Sequence, residues 1–404
     1  MSRRPSASLQ SSLRIAIAHP TMGLGGAERW VLDVAAALRD RGHRVTVFTA
    51  RVDRERCFEE ARDGSIDIRE RAGFLPANIL GRLRAPCNVL RTMAVGWSLG
   101  GEPGGFDVAI ADLVAHSIPL LCRRAACPVL FYCHFPDVLL TPPKRGLYRL
   151  YRRPLDRLEE RGLAAADRVL VNSRFTGDRF AEAFPRLPRP GVLYPGVAVE
   201  EFADVPPPAE DGPIRLLVLG RFDPSKNLEV AIETLGELRS RLPKDLFDRL
   251  ELQLAGGFDE SRPEMGTLLE RLRALAVRLG LAAQVSFLTN PSDAVRKALL
   301  AGCRCLLYTP PREHFGLVPV EAMAAGRPVA AVREGGPCET ILDGVTGRLC
   351  APDAASFAAA VEPWLQDPEL AWTVGAAGRR RSQSFSRAGM GEALEAELRS
   401  ILDP

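Results

Sequence analysis

The sequence has few of the residues that build metal sites and disulfide frameworks. It contains five histidines, none at the spacing of metal ligands, and nine cysteines without a CxxC pair. Neither a zinc site nor a disulfide framework is expected, and an odd number of scattered cysteines favours a reducing compartment. An excess of one charge is missing too, because 53 basic residues stand against 50 acidic ones. This balance gives no reason to expect a nucleic-acid partner.

Long hydrophobic runs are also missing. No apolar stretch reaches the length of about 18 residues that a membrane-spanning helix needs. The nearest candidate, residues 88–99, is interrupted by Arg91 and Gly96. The first twelve residues are polar, and the apolar run at 15–18 is too short for the core of a signal peptide. We therefore expect no secretory leader, and any contact with a membrane is expected to be peripheral.

What the chain does contain is an alternation of short apolar runs with longer amphipathic patterns. A length of 404 residues suits two domains of roughly 200 residues each. The alternation begins at 13–18 and restarts at 215–220, and the last predicted strand is 329–332. This order is typical of an α/β fold with parallel sheets, here two Rossmann-like, doubly wound domains with ligands in a cleft at the strand ends. The predicted segments are a disordered tail (1–12), a first domain (13–205), a proline-rich linker (206–212), a second domain (213–380) and a C-terminal helix (381–404) that could cross back to the first domain.

Two acids, Glu313 and Glu321, flank a glycine turn and a proline in the second half of the chain. Pro319 fits the first position of a helix, which would place Glu321 in the first turn beside free backbone N–H groups. Such a helix end attracts a diphosphate, while Glu321 could accept hydrogen bonds from a ribose and Glu313 could face sugar hydroxyls. The alternative is a loop acid and a capping acid without a ligand.

In each half of the chain, the loop after the first strand contains candidate phosphate-binding residues. Gly25 and Gly26, with Glu28 just after them, open a helix and could bring backbone N–H groups close to a phosphate. In the second half, Arg221 offers a planar fork for phosphate oxygens and Lys226 a point charge. The alternatives are a structural turn for the first loop and a solvated basic turn for the second.

Further candidates lie at the end of a predicted buried strand and just beyond it. His134 could hydrogen-bond a transferred sugar and Asp137 could orient an acceptor, although a satisfied core histidine is the common interpretation. Residues 144–153 mix basic with aromatic and leucine residues. That composition suits the headgroup region of a membrane, or equally a solvated helix with its apolar side in the core.

These residues resemble the GT-B glycosyltransferases of the large retaining family 4. The run from Glu313 to Glu321 and the pair Arg221 and Lys226 are that family's general marks. The first half is similar, more specifically, to the eukaryotic ALG2-type mannosyltransferases, and the likeness extends over nearly the whole chain. It is carried by 19–20, 25–29, 131–137 with 139–141, 150–152 with Pro154 and Asp156, 171–173 and 193–195.

The resemblance implies GDP-mannose as donor and Man1GlcNAc2-diphosphodolichol, then its Man2 product, as acceptor. It implies α-1,3 and α-1,6 linkages, retention of configuration, no essential bound metal, and a peripheral place on the cytosolic face of the endoplasmic reticulum. The membrane surface and other mannosyltransferases of the pathway are candidate partners. The implied roles are catalysis by Glu313, His134, Lys226 and Arg221, donor binding by Gly25, Gly26, Arg221, Lys226, Gly256, Phe315, Gly316, Leu317 and Glu321, and acceptor contacts by Asp137 and Glu28.

Three alternatives stay open at this point. Another family 4 enzyme could use a different donor or acceptor. A phosphorylase of similar architecture would use free phosphate and release a sugar phosphate. A binding subunit without activity would keep the fold, but it would have no need of the four charged residues Arg221, Lys226, Glu313 and Glu321.

Overall fold

In a computed structural model of the protein, the chain divides into two compact units. The first unit contains Met1–Gly196 and Arg387–Pro404, and the second contains Val197–Ser386. The structure describes residues 12–403, apart from 24, 55–56, 77–83, 141–145 and 208–211. The predicted tail therefore falls outside the described residues, except for Ser12.

The first unit is built on a sheet of seven parallel strands, in the order β3-β2-β1-β4-β5-β6-β7. Its central strands are apolar along their whole length because both faces of the sheet are covered, as in other doubly wound sheets. Every residue of the two strands after β3 is buried. The strands are β1 (Arg14–His19), β2 (Arg44–Thr49), β3 (Asp67–Glu70), β4 (Val108–Asp112), β5 (Val129–Cys133), β6 (Arg168–Val171) and β7 (Gly191–Val192).

The helices of this unit place apolar residues at helical spacing against the sheet. In the first helix, Trp30, Val34 and Leu38 are fully or almost fully buried. The last of the six helices before the unit boundary begins after Ser173, whose hydroxyl accepts a hydrogen bond from Thr176 N at 3.0 Å. The helices are α1 (Gly26–Asp40), α2 (Arg84–Leu99), α3 (Ile118–Ala125), α4 (Asp137–Leu140), α5 (Gly146–Ala164) and α6 (Arg174–Ala183).

The second unit repeats this design with six parallel strands, in the order β10-β9-β8-β11-β12-β13. The strands are β8 (Ile214–Leu219), β9 (Leu250–Gly256), β10 (Val285–Thr289), β11 (Cys305–Tyr308), β12 (Val329–Val332) and β13 (Gly347–Cys350). Its helices are α7 (Glu229–Arg241), α8 (Lys244–Asp248), α9 (Pro263–Arg278), α10 (Asp293–Gly302), α11 (Leu317–Ala324), α12 (Pro337–Thr340), α13 (Ala354–Gln366) and α14 (Pro368–Ser382). The predicted α/β, doubly wound fold is confirmed.

The last helix, α15 (Arg387–Leu402), belongs to the first unit. Met390, Leu394 and Leu398 are buried in the same core as β1. Gly391 allows this helix to approach α1, since a Cβ at that position would lie 2.8 Å from the Ala37 Cβ. The second unit begins at Val197, so the segment predicted as the linker lies within it, with 208–211 outside the described residues.

Two strand predictions in the second unit need correction. The apolar run 303–308 predicts a strand over its whole length, but the strand begins at Cys305, because Cys303 still closes α10 through a hydrogen bond from its backbone N to Leu299 O. The strand at 329–332 is not the last, because β13 pairs with it in parallel from Gly347 to Cys350. Strand β13 has only four residues, and two of them are Gly347 and Arg348, so the sequence shows no apolar run there. None of the described helices has the length and apolar character needed to cross a membrane.

Candidate active site

An ion pair joins two of the predicted site residues in the second unit. Lys226 Nζ lies 2.5 Å from Glu313 Oε2, and each side chain is 19% exposed. Lys226 is positioned by the short turn 224–226, which Asp223 caps by accepting a hydrogen bond from Ser225 N. Thr309 Oγ1 holds the same turn by donating to Lys226 O at 2.7 Å. The loops that follow β8 and β11 therefore bring a cation and a carboxylate together at the carboxyl edge of the sheet.

The surroundings of Glu313 keep it ionised. Burial raises the pKa of Glu313, but the charge and hydrogen bond of Lys226 lower it more, so it lies below its ordinary value. The Tyr308 hydroxyl also hydrogen-bonds to this carboxylate. Burial and the neighbouring Glu313 raise the pKa of Tyr308 well above its usual range, so it stays a neutral donor. The carboxylate is thus a fixed acceptor.

The backbone around Glu313 and Phe315 is contacted by a second glycine pair that the sequence reasoning missed. A Cβ on Gly335, whose φ is +70°, would lie 2.1 Å from Glu313 O, and one on Gly336 would lie 2.2 Å from Phe315 Cα. Gly336 N donates to Glu313 O at 2.8 Å. The sequence signal was a Gly-Gly-Pro run after a buried strand, which is typical of a turn before a short helix.

Helix α11 starts earlier than predicted. Leu317 is its first residue and Gly316 precedes it with a φ of +85°, so Pro319 is the third residue and Glu321 is beyond the first turn. Because Gly316 adopts the left-handed conformation directly before Leu317, the loop ends there and residues 317 and 318 are already helical. Phe315 is buried, with its ring 5.9 Å from that of Phe385.

Glu321 forms an ion pair with Arg296 of α10, a partner that the sequence reasoning did not identify. Arg296 lies inside a helix, away from any strand end, so no loop pattern pointed to it. The Glu321 side chain is 13% exposed. Its Oε2 is buried and has no hydrogen-bond partner in the described part of the chain, so this oxygen has an acceptor site left over.

Arg221 and Gly256 lie on two loops that touch. Gly256 has a φ of +155°, and a Cβ there would lie 1.8 Å from Gly220 O. Phe222 N donates to Gly257 O at 2.9 Å, and Arg221 itself is exposed. The predicted cation and the predicted donor-binding glycine are therefore neighbours at the same sheet edge as Lys226.

In the first unit, the predicted glycine loop opens α1. Gly25 precedes the first residue of the helix, Gly26, and Glu28 lies in the first turn. A Cβ on Gly25 would lie 2.3 Å from Glu28 Oε2, whereas one on Gly26 would meet nothing within 4 Å. The Glu28 carboxylate curls over the loop and helps to raise the pKa of His19.

His134 lies in a cluster of three titratable residues at the ends of the adjacent strands β1, β4 and β5. His134 Nε2 lies 2.8 Å from Asp112 Oδ1, and His19 Nδ1 lies 2.8 Å from Asp112 Oδ2. Burial raises the pKa of Asp112, but His134 and His19 lower it further, to about 2. Burial lowers the pKa of His19, yet its hydrogen bond with Asp112 leaves it raised. His19 was noticed only through the family resemblance, and Asp112 was missed.

Aromatic packing fixes the ring of His134. The rings of Trp30 and Tyr132 stack at 3.8 Å, and His134 meets both edge-on. Asn172 Nδ2 donates to His134 O at 2.9 Å. The His134 side chain is 17% exposed, so it is a held histidine with one open side. The carboxylate of Asp112 and the two aromatic rings together fix the orientation of the imidazole.

Asp137 is engaged within the first unit. Its carboxylate lies 2.6 Å from Arg152, and Glu159 accepts hydrogen bonds from the backbone N of Asp137 and Val138. The predicted membrane-facing segment, 144–153, lies partly outside the described residues. Two alternatives were open for this segment, a headgroup-facing helix and a solvated helix, and neither describes Arg152, whose side chain is 3% exposed and bonded to Asp137 and Asp156.

Comparison with known families agrees with this division of the chain. Residues 24–201 match the family Glycosyltransferase Family 4, and residues 200–381 match the family Glycosyl transferases group 1. Among solved structures, sucrose-phosphate synthase from Thermosynechococcus elongatus superposes with a TM-score of 0.77 at 22% identity, covering 96% of this chain and 99% of that one. Anabaena HepE in complex with UDP-glucose gives 0.72 at 21% identity, covering 96% and 100%. These likenesses establish the GT-B fold.

Curated relatives are more similar in sequence. The chain is 41% identical to Alpha-1,3/1,6-mannosyltransferase ALG2 of Mus musculus over 93% of both chains, and 41% identical to that of Homo sapiens over 95% of both. The Dictyostelium discoideum protein of the same name is 37% identical over 92% of this chain and 94% of its own. The chain is therefore a glycosyltransferase that belongs to the alpha-1,3/1,6-mannosyltransferase ALG2 family.

Proposed function

We propose that this chain transfers mannose from GDP-mannose to Man1GlcNAc2-diphosphodolichol through an α-1,3 bond, and then to the product through an α-1,6 bond, with retention of configuration. Mannose transfer and its two linkages follow from the names of the relatives, and the donor nucleotide and the lipid-linked acceptor are those that the family resemblance implies. The observation that carries the chemistry is the ion pair of Lys226 and Glu313 at the sheet edge of the second unit.

Lys226 and Arg221 act on the departing diphosphate. An ammonium group has three donors, so Lys226 can keep its contact with Glu313 and still donate to phosphate oxygens. Negative charge grows on the diphosphate as the bond from mannose C1 to the phosphate oxygen breaks, and fixed cations stabilise that state most. No bound metal is required for this step in our proposal.

Glu313 and the backbone of Phe315, Gly316 and Leu317 hold the mannose and its phosphate. The ionised, buried carboxylate of Glu313 accepts sugar hydroxyls without titrating near neutral pH. The open acceptor atom of Glu321, Oε2, supports a role in binding the ribose hydroxyls. The acceptor hydroxyl attacks C1 on the side the phosphate leaves, and its proton passes to that phosphate, so no second carboxylate is needed as a base.

His134 contributes from the first unit. Its ring, held by Asp112 and the aromatic pair, can donate a hydrogen bond to the transferred sugar. Glu28 and Asp137 are the acceptor-side groups of the proposal. We place the enzyme on the cytosolic face of the endoplasmic reticulum as a peripheral protein, with other mannosyltransferases of the pathway as partners, because the acceptor is anchored in that membrane.

A donor screen tests the proposal. Purified protein is incubated with GDP-mannose, UDP-glucose or UDP-N-acetylglucosamine and a Man-GlcNAc2 trisaccharide on a phytanyl diphosphate, and the product linkages are read by NMR. We expect GDP-mannose alone to support transfer, giving one α-1,3 and one α-1,6 mannose. Transfer only from a uridine-linked sugar would assign another donor. Release of a sugar phosphate with inorganic phosphate as the second substrate would assign a phosphorylase.

A further inference from the structure

Two arginines of the first unit, Arg51 and Arg91, are near enough to interact through their charges. Arg51 follows the last residue of β2 by two positions and is exposed. Arg91 lies in the middle of α2 and is only 3% exposed. Both side chains stay protonated at any physiological pH, so two like charges repel each other.

Among the residues that the structure describes, neither arginine has a carboxylate partner. Arg91 Nε is enclosed without a hydrogen-bond partner among the described residues. Burial and Arg51 both lower the pKa of Arg91, and the other group that acts on it is the Cys87 thiol. The structure assigns neither arginine an ion pair within its described ranges. Burying an uncompensated cation beside another is costly.

Other buried arginines of the chain do have partners. Arg152 contacts the carboxylates of Asp137 and Asp156. Arg327 donates to the backbone carbonyls of Leu300 and Ala301. Arg91 differs from both, because no acceptor in the described part of the chain accounts for its burial. A buried arginine without an acceptor in the protein is suited to bind an anionic ligand.

The position of the pair connects it with the histidine cluster. Strand β2 pairs in parallel with β1, which ends at His19. Beyond the strands the two loops continue side by side, with Met22 N donating to Arg51 O at 2.9 Å and Met22 bridging to Val52. Arg51 therefore lies at the carboxyl edge of the same sheet as His134, and Arg91 is near enough to Arg51 to feel its charge. In doubly wound sheets ligands bind at this edge.

We propose that Arg91 and Arg51 bind the diphosphate of the lipid-linked acceptor. The inference rests on the proposed function, because it takes the acceptor mannose to lie near His134. Two N-acetylglucosamine units separate that mannose from the diphosphate, so the anion must be recognised away from the histidine cluster on the same edge. Guanidinium forks suit phosphate oxygens. Arg91 forms the fixed floor of the site, and Arg51 closes on the anion from the surface.

Direct binding separates this proposal from the transfer reaction. The dissociation constant is measured without donor for a Man-GlcNAc2 trisaccharide on a phytanyl diphosphate and for the same trisaccharide on an uncharged phytanyl glycoside, in one neutral detergent. The variants are Arg91→Met, Arg51→Gln and, as a matched control, Arg44→Gln, which removes an exposed charge from the opposite end of β2. We expect each of the first two variants to weaken binding of the diphosphate ligand about tenfold, with the uncharged ligand unaffected and the control like wild type.

The melting temperature and the KM for GDP-mannose separate acceptor binding by Arg91 from a structural role and from donor binding. Arg91→Met replaces an unpaired cation with an apolar side chain of similar length, so its melting temperature should equal or exceed that of wild type. A lower melting temperature with an unchanged preference for the diphosphate ligand would make Arg91 structural and overturn the proposal. A higher KM for GDP-mannose, with acceptor binding intact, would assign the anion to the donor and overturn it too. If instead the proposed function were wrong, the wild-type protein would bind the diphosphate ligand but would not transfer mannose to it.

Discussion

Lys226 and Glu313 are partly buried residues that form an ion pair. The role of each can be tested by a single substitution. Lys226→Ala removes the cation that opposes charge on the leaving diphosphate, so we expect kcat to fall by about 10²–10³-fold. The fold should persist, since the pair lies in loops after β8 and β11. Turnover of GDP-mannose and the melting temperature are the measurements.

A matched control is available for this variant. Lys244 on α8 is 87% exposed and pairs with Asp248, so Lys244→Ala removes an equal charge from the same unit without touching the site. It should leave kcat unchanged. Near-normal transfer by purified Lys226→Ala would remove Lys226 from the mechanism.

Asp112 is the residue whose ionisation should show in the pH dependence of stability. The pKa of Asp112 lies at about 2, below its ordinary 3.8, so its contribution to stability is present above pH 3.8 and is lost as the pH falls through about 2. The pKa of His19 is raised above 6.5, so its contribution is present below pH 6.5 and is lost as the pH rises through the raised value. Asp112→Asn leaves the buried imidazole of His19 and the partly exposed one of His134 facing a neutral amide.

We expect Asp112→Asn to lower the free energy of unfolding by about 3 kcal/mol between these limits. The difference from wild type should shrink below pH 3.8 and above pH 6.5. Urea unfolding across this pH range measures it, with the exposed Asp40→Asn as control. A difference that does not vary with pH would show that the cluster is held by packing alone.

The positions of single site residues could be predicted where they directly follow a strand. Lys226, Glu313 and His134 each follow a buried apolar run, and parallel strands bring such positions to one edge. Arg296 could not be predicted, because it reaches Glu321 from within a helix and its partner is set by how two helices pack. Asp112 ends an apolar run as an ordinary acid, and only the neighbouring strands in the sheet reveal its two histidines.

At the scale of elements, the loop after β12 packs against the backbone of Glu313 and Phe315, which leads into α11. Gly335 has φ +70°, and a Cβ there would lie 2.1 Å from Glu313 O. Gly335→Ala should therefore push this loop off the Glu313 backbone, lower stability by about 2 kcal/mol and raise the KM for GDP-mannose. Steady-state kinetics and thermal unfolding measure the two effects.

The control for that variant shares its backbone strain but not its clash. Gly344 has φ +77°, and the nearest atom to its added Cβ is the flexible end of Arg348 at 3.7 Å. Gly344→Ala should cost about 1 kcal/mol from the left-handed conformation alone and leave the donor KM unchanged. An equal KM change in both variants would exclude a specific role for the contact at Gly335.

Element types were more predictable than their limits. Apolar periodicity predicted the alternation of strands and helices in both units, because the buried faces of the central elements are long. The start of α11 was wrong by two residues, since a proline fits several positions in a first turn and only the φ of Gly316 decides between them. Short edge strands such as β7 and β13 bury too few residues to leave a pattern.

At the scale of the whole molecule, the chain leaves its first unit after Gly196 and returns at Arg387. The sequence suggested the return only as one option for the last helix, because an amphipathic helix does not reveal which core its apolar side enters. The structure shows that core: Leu394 and Leu398 are fully buried with the residues of β1 and α1. Stability of the first unit therefore depends on residues nearly 200 positions away in the sequence.

Leu394→Ala tests this dependence. Removing a fully buried leucine should lower the stability of the first unit by about 3 kcal/mol. Because the second unit has its own core and shares none of these residues, its stability should not change. Hydrogen exchange read by mass spectrometry separates the two, since protection should fall in β1, β2 and β4 and stay constant in β8, β9 and β11. Leu370→Ala, at a leucine 38% exposed on α14, is the control and should affect neither sheet. Equal loss of protection in both sheets would mean that the two units unfold as one cooperative body, and the helix at the end of the chain would then stabilise the active site in the second unit as well as the fold of the first.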